Sequence, residues 1–185
     1  EYNLDVDLFL AVINLYIQQT YALDRPLTVT QIAATVDYMK NTNSQIVQAQ
    51  LPNVERHLHA LMSTSFEHNK TIGLINNFFQ EIKAELLTGI SYDNEQRFPY
   101  VERLCTGMPE AEAAKPNDSP VQEPVDEKIF DLRSMLMKYL TGEADQNLCY
   151  AVFFALFTLE NDIRQYNKIC EKLLDPAIGH IEKRC

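Results

Sequence analysis

The chain has 185 residues, 46% of them hydrophobic and 23% charged, with only five glycines and no tryptophan. Its formal net charge of −10 excludes nucleic acid, which needs a basic patch for counterion release, and an electrostatic hold on anionic lipid. A chain this long buries a full core as one domain, and the scarcity of glycine points away from tight sheet turns and towards helices.

Taken in chain order, Leu4, Leu8, Phe9, Val12, Ile13, Tyr16 and Ile17 recur at spacings of three and four. That is the inward stripe of an amphipathic helix, ended by Asp24-Arg25-Pro26. Its flanking acids Glu1, Asp5 and Asp7 replace the basic n-region of a signal peptide. Thr28 or Thr30 caps a second helix with Ile32, Ala33, Val36 and Met39 inward, and the polar run Asn41-Thr42-Asn43-Ser44 weakens it. Pro52 opens a new stripe, Val54, Leu58, Leu61, Met62 and Phe66. The stripe runs on through Ile72, Ile75, Phe78, Phe79, Ile82 and Leu86, as one helix or two joined near 68–73, and Thr88-Gly89 closes it.

Tyr100, Val101 and Leu104 predict a short helix ending at Thr106-Gly107. Residues 106–125 carry Pro109, Pro116, Pro120 and Pro124 and read as an acidic, flexible loop. A helix from Asp126 to about Leu140 follows. Residues 148–157 are apolar all round yet fall short of the ~18 that a membrane span needs, so they predict a central core helix running to Leu174, after which Asp175-Pro176 turns the chain back. The fold expected is all-α, an irregular bundle of about six helices around that apolar helix in a single domain. No internal repeat stands out.

Cys105, Cys149, Cys170 and Cys185 form no CxxC pair and have no histidine at zinc-finger spacing. Their even number and wide spacing suit two structural disulfides. Cys149 and Cys170 lie 21 residues apart on the last long helix, a rise of about 31 Å, whereas a disulfide needs Cα atoms within about 7 Å. The turn at Asp175-Pro176 brings Cys185 near Cys170 and nowhere near Cys149, so the pairing expected is Cys105–Cys149 with Cys170–Cys185. Asn69-Lys70-Thr71 and Asn117-Asp118-Ser119 are glycosylation sequons, and with the cysteines they predict a secreted protein.

Motifs for chemistry are weak. His57-Leu58-His59 points to different helix faces, Glu81 and Glu85 lack an ExxH partner, and no nucleophile elbow or Gly-rich phosphate loop is present. No metal or cofactor is expected. The first functional expectation is a non-enzymatic protein, in the style of secreted saliva, haemolymph or cytokine-like proteins, that binds another protein through exposed helix faces or the 106–125 loop. The second is an extracellular carrier whose Phe78, Phe79, Tyr150, Phe153, Phe154 and Phe157 line a cavity for an apolar ligand such as a fatty acid. The third is a cytosolic helical adaptor with buried thiols.

Overall fold

The computed structural model describes residues 5–18, 21–23, 25–64, 69–107, 115–120, 124–139 and 145–183. Every regular element among them is helical: α1 (Val6–Ile17), α2 (Val29–Gln45), π1 (Ile46–Gln50), α3 (Leu51–Thr64), α4 (Asn69–Tyr92), π2 (Asp93–Arg97), α5 (Phe98–Cys105), α6 (Val125–Tyr139), α7 (Gln146–Ile169), π3 (Cys170–Leu174) and α8 (Asp175–Glu182). The all-α expectation holds. Because each π segment is continuous with its neighbours, the elements join into five helical runs in place of about six.

The π segments share one cause. Leu51-Pro52 follows π1, Phe98-Pro99 follows π2 and Asp175-Pro176 follows π3. A proline inside a helix lacks the N–H that would bond back and its ring clashes with the carbonyl four residues earlier, at a cost of about 3 kcal/mol. A wide π turn displaces that carbonyl. In each case the residue before proline donates its N–H five residues back: Leu51 to the Ile46 carbonyl, Phe98 to Asp93 and Asp175 to Cys170. The first residue of every π segment, Ile46, Asp93 and Cys170, is buried.

Two of these sites share a short motif. Pro52-Asn53-Val54-Glu55-Arg56 recurs as Pro99-Tyr100-Val101-Glu102-Arg103. Glu55 pairs with Lys83 at 2.6 Å, and Glu102 pairs with Lys40.

Two expectations fail on the same ground. The helix does not stop at Thr88-Gly89, since α4 passes through both and continues by way of π2. Nor does Asp175-Pro176 turn the chain back, because π3 absorbs the proline and α8 carries straight on. The reversal that was to bring Cys185 to Cys170 is therefore absent, and Cys185 itself lies outside the described residues. Cys105, Cys149 and Cys170 are free thiols, so the expected Cys105–Cys149 bridge is not formed either. The two cysteines pack as small apolar residues at the edges of different cores.

The chain divides into two compact units, each assembled from separate stretches: Glu1–Thr42, Ser91–Asp118 and Arg164–Cys185 in the first, Asn43–Ile90 and Ser119–Ile163 in the second. In the first unit Ala11 and Leu15 of α1 pack with Ile32, Val36 and Met39 of α2, Phe98 and Val101 of α5, and Leu173, Leu174 and Ala177. Here α1 is rotated from its expected face. Phe9, Tyr16 and Ile17, read as inward, are exposed, because the small Ala11 takes the contact position. In the second unit Val54, Leu58 and Leu61 of α3, Ile75, Phe79 and Ile82 of α4, Ile129, Leu132 and Leu136 of α6, and Val152, Leu156, Leu159 and Ile163 of α7 form one core.

Of the two cap candidates, Thr28 serves. The Gln31 N–H donates to Thr28 Oγ1 at 3.3 Å, and the Thr28 N–H donates to Gln31 Oε1 at 3.0 Å, a reciprocal capping box. Replacing Thr28 with alanine removes one of these bonds and lowers stability by about 1 kcal/mol, measured by urea denaturation followed by circular dichroism.

Candidate functional site: an uncharged aromatic face on α7

Two arrangements stand out. The first is a buried polar cluster in the first unit, built by π2 and π3. The Tyr166 hydroxyl donates to Asp93 Oδ2 at 2.5 Å. Arg97 lies 3.5 Å from Asp93 Oδ1, pairs with Asp175, and donates from Nη1 to Cys170 Sγ at 3.3 Å. Burial raises the Asp93 carboxyl above its ordinary range, against the opposing pull of the Tyr166 hydroxyl and Arg97.

Burial also pushes the Cys170 thiol up to about 12, although Arg97 favours the thiolate. A thiol held protonated at neutral pH is a poor nucleophile and metal ligand. Chemically, the cluster locks π2 to π3.

The second arrangement lies on α7 in the second unit. Asp145 caps this helix, accepting the N–H groups of Asn147 and Leu148 at 2.9 and 3.2 Å. Val152, Ala155, Leu156, Leu159 and Ile163 then bury one stripe. The helix is not the central core element expected. Its stretch 146–159 contains no charged residue, and its outer face carries Tyr150 at 60%, Phe154 at 63% and Phe157 at 43% exposure. The expectation failed because branched aliphatics satisfy the core stripe, leaving the bulkier rings on the remaining arc.

On one flank α6 adds Phe130, which is 48% exposed, and exposed Met137. The Arg133 guanidinium sits 5.4, 5.2 and 5.0 Å from the ring centres of Phe130, Phe153 and Phe157. Its Nη2 reaches Oε2 of Glu160, only 1% exposed, at 3.1 Å. Arg133 therefore acts as a planar spacer that holds three rings, its charge met from below. Phe153 and Phe154 meet edge to face at 5.9 Å.

On the other flank lies a groove of about 310 Å³ lined by Gln50, Asn53 and His57 of π1 and α3 and by Ala151, Phe154, Ala155 and Thr158 of α7. The Gln50 amide nitrogen donates to Asp162, while its Oε1 is buried with no partner among the described residues.

The six aromatics read as a ligand lining do not close around one space. Phe79 is fully buried, Phe78 and Phe153 are packed on the core margin, and Tyr150, Phe154 and Phe157 face outwards. Periodicity could not identify Gln50, Asn53, Arg133 and Glu160, since each matters only through its neighbour on another helix. Among the sequon residues, the Asn117 carbonyl accepts the Tyr92 hydroxyl at 2.6 Å, and the Asn69 side chain lies outside the described residues. Glu85 pairs with Lys128 at 2.8 Å and Glu81 is exposed.

Two measurements test this geometry. Arg133→Met leaves buried Glu160 without its guanidinium and costs about 3 kcal/mol, whereas adding Glu160→Leu restores most of the loss; a double-mutant cycle in urea reads both. At pH 8, iodoacetamide labels Cys105 and Cys149 in the folded protein and reaches Cys170 only after denaturation, read by peptide mass spectrometry.

No helix among the described residues is long and apolar enough to cross a membrane. The chain matches no family model, no curated protein and no solved structure.

Proposed function

We propose that this chain is a non-enzymatic interaction protein that binds a second protein molecule through the α6–α7 face, and that it works outside the cell. One observation carries the reading: three turns of α7 expose aromatic rings with no charged side chain among them. At 150–250 Å² per aromatic side chain, Phe130, Tyr150, Phe154 and Phe157 leave about 400 Å² of ring surface in water. That matches the largest apolar patch a monomer ordinarily shows, itself often functional, and its composition is that of interface centres, which are depleted in charge and enriched in aromatics and arginine. The extracellular part rests on the two sequons, the second of which is exposed at Asn117. The carrier reading loses support as the rings turn outwards.

A photocrosslinking phenylalanine analogue at position 154, in protein expressed by secreting eukaryotic cells, tests the face. A discrete protein adduct is expected, suppressed by excess unmodified chain but not by the Phe154→Glu, Phe157→Glu variant. The same analogue at exposed position 81 gives none. Equal adducts at both positions, or none at 154, would remove the reading.

A further inference from the structure

The α7 face carries a knob and a hole side by side. Phe154 is the knob and also one wall of the hole, which Ala151 and Thr158, one turn to either side, and the adjacent Ala155 complete with Gln50, Asn53 and His57. A face with both features is complementary to itself under a twofold rotation. We propose that the partner is a second copy of this chain: two α7 helices meet antiparallel, and Phe154 of each copy enters the groove of the other. This rests on the reading of the α7 face as an interaction surface.

Room, approach and charge agree. A cavity of about 150 Å³ holds a benzene ring, and the groove measures about 310 Å³. Ala151 and Ala155 place only methyl groups on the approach line, so the two helices can come close. Each chain carries −10, yet stretch 146–159 brings no charge to the axis and Glu160 neutralises Arg133. Asp162, bonded to the groove's Gln50, is a like charge near the contact, and the rest of the excess repels at longer range, where salt screens it. The aromatic surface of about 400 Å² is half of what a standard interface takes from each partner, about 800 Å². Met137, Thr158 and the polar groove rim extend it. The dimer is expected to be tighter at high salt.

Sedimentation equilibrium of the full chain from about 5 to 200 µM, at low and high salt, reads the association by mass action. The wild type is expected to move from the 21.3 kDa monomer towards twice that mass, more completely at high salt. Phe154→Glu, on an exposed position, keeps its helical circular dichroism and stays monomeric at least tenfold higher in concentration. Ala151→Phe, which fills the hole from a half-buried position, does the same; Phe154→Leu, which keeps an apolar knob, retains a weakened dimer. A wild type that is monomeric throughout, or a dimer indifferent to Phe154→Glu, overturns self-pairing. If the monomeric chain still forms the adduct at position 154 with a different protein, only self-pairing fails. If it forms none, the interaction reading fails with it.

Discussion

Three prolines set inside helices are the constraint on which this architecture depends. Pro52, Pro99 and Pro176 each fall where a helix must continue, and each is preceded by a five-residue π turn that moves a carbonyl clear of the ring. The wide turn has a second effect. Buried positions that elsewhere recur every three or four residues jump by five, from Ile46 to Leu51 and from Asp93 to Phe98. The strand of side chains facing the core is thereby re-phased without a loop. The polar cluster of Asp93, Arg97 and Cys170 exists because two of these turns place their first and last residues against one another within the first unit.

In the second unit, the same economy governs the outer surface. Branched aliphatics on α7 fill the core, so the rings of Tyr150, Phe154 and Phe157 have nowhere to go but outwards. Arg133 orders three rings from one position while Glu160 balances its charge. A lysine there would keep the charge and lose the flat, weakly hydrated plane that lies against the rings. The face is thus shaped by one guanidinium and its buried carboxylate more than by the aromatics themselves.

The helical class, a threonine cap at 28 or 30 and the helix end at Thr106-Gly107 were legible, because each is a local matter of periodicity or capping chemistry, whereas the stripe from Val54 to Leu86 left one helix and two equally open. What misled was proline. Read alone, Pro52 marks a helix start and Asp175-Pro176 marks a turn; only together with the five-residue skip in the apolar stripe do they mark a π turn. The α7 reading failed for a different reason. A run that is apolar all round has no moment to orient it, so its buried side is decided by neighbours that the sequence does not reveal. The cysteines suggested bridges by number and spacing, yet free thiols pack well as small apolar residues, and counting cannot separate the two.

The uncharged stretch 146–159 has a consequence for the chain before it folds. It combines four aromatic residues with valine and leucine and contains neither proline nor a charge to interrupt it, the composition of segments that pair as strands between chains. Nothing within the stretch guards against that outcome. Protection comes from its boundaries, where the charges of Asp145 and Glu160 flank the run. The speed with which α7 becomes helical therefore sets how concentrated the nascent protein can be before it aggregates.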